Sequence, residues 1–467
     1  MLHSASRQMR RFFATPSIPS SIVSACLSLA FIAVACVPPA YGQYKDYPQK
    51  AGKVDHLVLP QMPSWLSFDL ETRERSEGQS AMAYTAGDSN GYELTRVRGG
   101  ITVAPVKWAD LYIQFHDGHA LALPLSETAS NMRDTFDFRQ AYLRLHVKSA
   151  EIVTGRQELK FGGERLVGIS DWTNVSRTFD AVRGHIGTRN RLDLFTSSVV
   201  TIHPTGLDMH AGGLNFHGAY GVINTLLPHT SIESYLFVKC MPSVKSQQNV
   251  SGTETEFTPG MRVSGNLPLG FDYIAEGTLQ RGSYANDSIH SGAGYAKVGY
   301  TAHAPWHPRL QGEYDYATGN PHTNAQRIST FDQLYPSGHN AFGLVDLFGW
   351  QNVRQTRVNL DINPISHLTI LLQEEFLKVA NVHDSVYSGS GSATIKAPTA
   401  GFATDDIGKG FDASFKYVIH DYIVVNGGVG HFFPGTLMTA NKHGAPQTVP
   451  YLSVTYRVLL GGSRHKD

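Results

Sequence analysis

From Val54 onward, apolar and polar residues alternate with a period of two. Leu66, Phe68 and Leu70 interleave with Ser67, Asp69, Glu71 and then Arg73. Leu111, Ile113 and Phe115 interleave with Tyr112, Gln114 and His116, and Ala141, Leu143, Leu145 and Val147 with Tyr142, Arg144, His146 and Lys148. Val358, Leu360 and Ile362 stand against Arg357, Asn359 and Asp361, and Leu452, Val454, Tyr456 and Val458 against Ser453, Thr455 and Arg457. Successive side chains of a strand point to opposite faces, so each segment has one greasy face and one polar or charged face. No 3.6-residue pattern of comparable strength competes. The pattern predicts an all-β chain. It contains no internal repeat of a propeller or parallel β-helix.

Amphipathic strands can turn either face inward. A soluble sandwich or barrel hides the apolar face; an outer-membrane barrel turns it to lipid and encloses a wet lumen. The N-terminus bears on the choice. Arg7, Arg10 and Arg11 precede an apolar run from Ile18 to Val37, and Ala40-Tyr41-Gly42 supplies small residues for a signal peptidase. This predicts an export signal cleaved after Gly42. A lipoprotein cut before Cys36 and a retained transmembrane helix are the other readings. Cys26 and Cys36 lie in the apolar run, which leaves Cys240 alone, with no internal disulfide or cysteine-based zinc site to stabilise an exported soluble domain. Charged strand faces, and aromatics near segment ends at Tyr314, Tyr316, Phe415, Tyr417, Phe432 and Phe433, fit a water-filled lumen and interfacial girdles. Aromatics filling a soluble β core are the competing reading.

About 425 residues remain after cleavage, enough for about 16 to 18 membrane strands of roughly 10 residues with their connections. The predicted organisation is a signal peptide over 1–42, a mature N-terminal extension over 43–63, a single transmembrane antiparallel β-barrel over 64–460 and a polar tail over 461–467. Long outer loops are expected at Ser76 to Gly91, Ser243 to Thr258, Gly319 to Gly338 and Ser385 to Asp406. Asn363-Pro364 and Leu267-Pro268-Leu269-Gly270 suit short turns at the opposite end.

Lys and Arg total 39 against 39 Asp and Glu, a neutral balance that argues against a nucleic-acid partner. Gly87-Asp88-Ser89-Asn90-Gly91 has the spacing of a hydrolase nucleophile turn, but an arginine-rich strand follows where that motif needs a helix, so a hairpin loop is expected. His116 and His119 of His116-Asp117-Gly118-His119 would converge on a metal only across a turn, because i and i+3 on a strand face opposite ways. No H-E-x-x-H, P-loop or dinucleotide fingerprint is present, and the reading calls for no catalytic residues, metal or cofactor.

The richest stretch runs from Asp134 to Arg183. Strands with polar faces carrying Arg144, Arg156, Glu158 and Lys160 are joined there by a loop with Arg165 and Trp172. In a pore, such a mixture of Arg and Glu makes a charged constriction; the bland alternative is an ion-pair ladder stiffening the wall. The predicted basic lining is Arg96, Arg98, Arg139, Arg144, Arg156, Arg165 and Arg183, with Glu158 and Glu164 as acidic counterparts that orient it. A one-residue register error would reverse any of these assignments.

The stretch includes Phe136-Asp137-Phe138-Arg139-Gln140-Ala141-Tyr142, Gly163-Glu164-Arg165-Leu166-Val167-Gly168, Asp171-Trp172-Thr173-Asn174 and Arg177-Thr178-Phe179-Asp180. With Phe331-Asp332-Gln333-Leu334-Tyr335-Pro336 and His431-Phe432-Phe433-Pro434-Gly435, it resembles the alginate export family of outer-membrane proteins. The resemblance implies an 18-stranded barrel in the bacterial outer membrane, with an arginine-lined pore that conducts an anionic polysaccharide. The leading expectation is a passive channel, not an enzyme, for an alginate-like polymer or oligosaccharide. The alternative is a porin for uptake of small anionic or aromatic solutes. A secreted or membrane-embedded hydrolase or lyase ranks below both. Expected partners are the anionic cargo, outer-membrane lipid and periplasmic export proteins, with the barrel a monomer.

Overall fold

The computed structural model describes residues 55–58 and 62–461, apart from 125–126, 323–324, 340 and 420–421. The export signal over 1–42, most of the 43–63 extension and the tail beyond Gly461 lie outside the described residues.

Eighteen strands follow one another round a closed barrel. The first nine are β1 Leu66–Ser80, β2 Ser89–Val106, β3 Ala109–Leu121, β4 Asp134–Val147, β5 Ala150–Gln157, β6 Phe179–Gly187, β7 Arg191–Thr201, β8 Met209–Ile223 and β9 Thr230–Lys245. The rest are β10 Ser251–Asn266, β11 Phe271–Tyr284, β12 Asp287–Thr301, β13 Arg309–Ala317, β14 Val353–Ile365, β15 Leu368–Val379, β16 Asp406–Ile419, β17 Ile423–Pro434 and β18 Gln447–Gly461. Each pairs antiparallel with its sequence neighbours, and β1 closes on β18 with Leu70 opposite Val458 and Glu71 opposite Arg457. Inside the predicted extension, Asp55–Val58 forms a further short strand, parallel to Val458–Gly461.

One end of the barrel has short connections such as 107–108, 148–149 and 366–367; the other carries the long segments 158–178, 318–352 and 380–405. The expected turn at Leu267 to Gly270 is present. Two expected loops shrink: β1 continues to Ser80 and β2 starts at Ser89, while β9 and β10 leave only 246–250 between them. Polar sequence there extends the ladder instead of leaving it. Ser89 of the G-x-S-x-G spacing opens β2 at a hairpin, as expected.

The face assignment is clearest on β13. Arg309, Gln311, Glu313 and Asp315 are buried, whereas Leu310, Tyr314 and Tyr316 are exposed. Likewise Arg96 and Arg98 are buried on either side of exposed Val97. Apolar side chains out and charged ones in is the pattern of a barrel dissolved in lipid. Phe432, expected in a girdle, is a correction. Alternation turns it inward against Tyr84 and Phe348, and its neighbour Phe433 is exposed.

The interior is not uniformly polar. Phe195, Phe216, Tyr220, Tyr235 and Phe237, from β7, β8 and β9, form a buried aromatic patch on the lumen side. Gly218 leaves the space these rings need, since a Cβ there would stand 2.4 Å from the Phe195 ring and 2.8 Å from Phe237. The hydrophobic core therefore sits inside the barrel, where long loops fold down onto the patch.

Candidate functional site

The segment 158–178 turns into the lumen after β5. Leu159, Phe161, Leu166, Val167 and Ile169 are buried, so apolar burial anchors it. The Phe161 ring lies 4.9 Å from Tyr220 and 5.3 Å from Phe195, on the aromatic patch. A second infolded segment, 318–352, meets it. Val167 and Tyr335 form a parallel bridge, with Tyr335 N donating to Leu166 O at 2.8 Å and Gly168 N to Tyr335 O at 2.9 Å. Ser337 Oγ donates to Glu164 Oε2 at 2.7 Å.

From this anchor the first segment reaches two other parts of the wall. Arg165 donates to Glu313 and, at 2.7 Å, to Asp315 on β13, and its guanidinium lies 4.4 Å from the centre of the Tyr295 ring. Asp171 meets β1 and β2. Its carboxylate accepts from Arg96 at 3.1 Å and Arg98 at 2.8 Å, and its carbonyl from Arg73 at 2.7 Å. Glu71, between Arg96, Arg98 and Arg457, completes the cluster. Next along, Trp172 is sandwiched: Arg75 lies 4.0 Å from its ring centre and His339 stacks at 3.7 Å.

Burial pushes the Asp171 carboxyl up, but Arg96, Arg98 and Arg73 outweigh it and hold the group well below the usual carboxylate range. Glu158 behaves similarly. Burial raises it, and Arg139 and Lys160 bring it down to about 2. Both loop carboxylates are therefore charged in any physiological medium.

Beside the infolded loop lies a cavity of about 670 Å³. Its basic lining is Arg98, Arg139, Lys160, Arg165, Arg262, Lys297 and Arg457; its acidic lining is Asp69, Glu71, Glu158, Glu164 and Asp171. Trp172, Tyr295 and His339 also line it, the Trp172 ring covered by Arg75 and His339.

The structure thus brings together Arg96, Arg98, Arg139, Glu158, Glu164 and Arg165 around the infolded loop. Arg139 bonds Gln114 at 2.7 Å and pairs with Glu158. Glu164 differs: it accepts from Ile169 N and Ser337 Oγ, and so shapes the loop rather than orienting an arginine. Arg144 pairs with Asp110 near a short turn, and Arg183 with Asp193 on the wall. Arg156 is a correction. Its register opposite Ala141 and Asp180 puts it on the face shared with exposed Leu143 and Ile152, at the loop end, where it holds Asp180 at 2.8 Å. Arg144 pairs with Val153, so Arg144 and Arg156 fall on opposite faces of one hairpin. The nine expected residues do not form a single ring.

Glu71, Arg73, Arg75, Asp171, Trp172 and Arg457 were not among the expected lining. The alternation of Glu71, Arg73 and Arg75 on β1 was a usable signal. His116 faces inward and accepts from Arg98 Nε at 3.3 Å, whereas His119 pairs with Asp117, so the two histidines do not converge.

The chain matches the alginate export family over residues 64–451. It belongs to that family. No curated protein sequence matches it. Solved porin structures share the barrel. OpdO of Pseudomonas aeruginosa is 12% identical, with a TM-score of 0.56 over 85% of this chain and 98% of that one. OccAB2 of Acinetobacter baumannii is 8% identical, with a TM-score of 0.60 over 85% and 99%. OccK2 (OpdF) of Pseudomonas aeruginosa, solved in complex with glucuronate, is 10% identical, with a TM-score of 0.57 over 84% and 96%. At such identities the likeness shows the fold. Family and fold place this barrel in the bacterial outer membrane. Barrels of this kind carry short turns on the periplasmic side and longer loops outside. They indicate a channel.

Proposed function

We propose that this barrel is a passive channel for acidic sugars, passed as single uronate units or short oligomers. The observation that carries the reading is the cavity beside the infolded loop. Its size lies within the range of about 300–1,000 Å³ of small-ligand sites. Guanidiniums pair with carboxylates in a planar, bidentate way, and those of Arg98, Arg139, Arg165, Arg262 and Arg457 line the cavity. Carboxylates stand behind nearly every arginine, which keeps each contact with a passing anion weak enough to release. OccK2, with the same barrel, was solved with glucuronate, and OpdK with vanillate.

Export of an alginate-like polymer is the second reading, and the family match favours it. It requires a continuous bore past the infolded segments joined by the bridge between Val167 and Tyr335.

Single-channel recording in planar bilayers tests both. Anion-selective current, reduced by glucuronate at millimolar levels, is expected, with a reversal potential to match. Cation-selective current, or current indifferent to glucuronate and to oligouronates of every length, overturns the acidic-sugar reading. Block that appears only with long polyuronates favours the polymer.

A further inference from the structure

A cluster away from the infolded loop and its cavity carries chemistry that the channel does not use. Asp134 and Asp137 open β4 at its outer end, and Asp208 closes the neighbouring outer segment 202–208. One carboxylate oxygen from each lies within 4.8 Å of those of the other two. We propose that these three aspartates bind a calcium ion at the outer rim.

Two of the ligands are fastened in advance. Asp137 accepts hydrogen bonds from the backbone N–H groups of Phe138 and Asp208, and Asp208 Oδ1 accepts from His203 N at 2.6 Å. Asp134 is the decisive member. Its side chain is only 2% exposed, and its Oδ1 is buried with no hydrogen-bond partner. A buried carboxylate beside two others is costly without a cation. Among the described residues none of the three is in an ion pair. The guanidinium at the edge of the site, Arg156, holds the Asp180 carboxylate and donates to the carbonyl of Asp208 instead.

The chain's other triple of carboxylates shows a different solution. In Glu254, Glu256 and Asp332, Lys239 pairs with Glu254 at 3.0 Å and with Asp332. The first triple has no such lysine and lies at the end of the barrel open to the medium. Calcium suits it because it takes oxygen ligands at about 2.3–2.6 Å, so oxygens sharing one ion stand at most about 5 Å apart. Carbonyls and water complete its shell. The bound ion would add to the links between the start of β4 and segment 202–208, which otherwise meet through the bond from Asp208 N to the Asp137 carboxylate and a 3.3 Å bond from Thr135 N to Pro204 O.

The test is calorimetric titration of calcium chloride into the refolded, EDTA-treated full chain in detergent, paired with thermal unfolding. One equivalent is expected, with a dissociation constant on the order of 10⁻⁴–10⁻³ M, and unfolding should move to higher temperature. Asp134→Asn should weaken binding about tenfold or more and lose the thermal shift. If that variant fails to refold, Asp208→Asn carries the same expectation. Absence of binding in the unmodified chain overturns the proposal. So does binding that survives in the aspartate variants but disappears in Glu256→Gln.

Discussion

Asp171→Asn removes one charge from the loop and almost no volume. In the native chain the Asp171 carboxylate receives Arg96 at 3.1 Å, Arg98 at 2.8 Å and Ser176 Oγ at 2.8 Å. Its amide counterpart keeps a carbonyl oxygen but loses the charge assistance of both guanidiniums, whose side chains are 1% and 5% exposed. A hydrogen bond to a charged group is worth about 1.5–3 kcal/mol when dry. Asp171 itself is 37% exposed, so water screens part of this, and Glu71 still faces both arginines. The loss should therefore be about 1–3 kcal/mol of loop attachment. That corresponds to a rise of about 5- to 150-fold in the population of the detached loop. Recorded channels of the variant should show added openings or a higher mean conductance, and the unmodified chain a quieter, smaller one. The variant must first run as a folded, heat-modifiable barrel on gels. If it does, and its conductance and gating match the unmodified protein, the loop is not held by this carboxylate and the reasoning fails.

Arg165→Met should destabilise the folded barrel by about 3–5 kcal/mol, because Asp315 is left as a fully buried carboxylate; the double change with Asp315→Asn should recover much of that loss in thermal unfolding. A folded Asp171 held well below the ordinary carboxylate range contributes stability above that range, lost only as pH falls through the depressed value, and Glu158, at about 2, follows the same sign. Channel records between about pH 8 and about pH 5 should therefore show no loop-opening step; one that disappears in Asp171→Asn would contradict the assignment. Leu143→Arg, on the lipid face, should cost up to about 2–4 kcal/mol of folding stability in bilayers, whereas Gln140→Arg, facing the lumen on the same strand, should be tolerated.

Period-two alternation was enough to read the strands, because one face of every strand meets lipid and the other does not. Val97 between Arg96 and Arg98 and Leu310 between Arg309 and Gln311 show how directly the pleat writes orientation into the chain. The loop site was legible only in part. Alternation says which way a side chain points, not what it meets across a lumen. Arg165 finds its partners 148 and 150 residues away, and Arg73 bonds the loop 98 residues on. Arg156 misled because polar character at the rim of a membrane barrel no longer marks the inner face: outside the lipid, both faces are wet. Phe432 misled for the converse reason, since loops folded into the barrel create a dry interior that welcomes an aromatic ring.

The short strand Asp55–Val58 bears on how the barrel is put together. Ile423, the first residue of β17, lies opposite Tyr456, so β17 gives the last residues of β18 no ladder partner; Asp55–Val58 takes that place beside Val458–Gly461. The first described residues to leave the ribosome thus meet the last, across nearly the whole length of the polypeptide. Contacts of such separation form late, whatever their strength. Until the seam is made, the end of β18 is an open edge able to recruit a stray strand. Completion of the periplasmic rim is then a checkpoint on assembly, reached only by a chain that has been delivered whole.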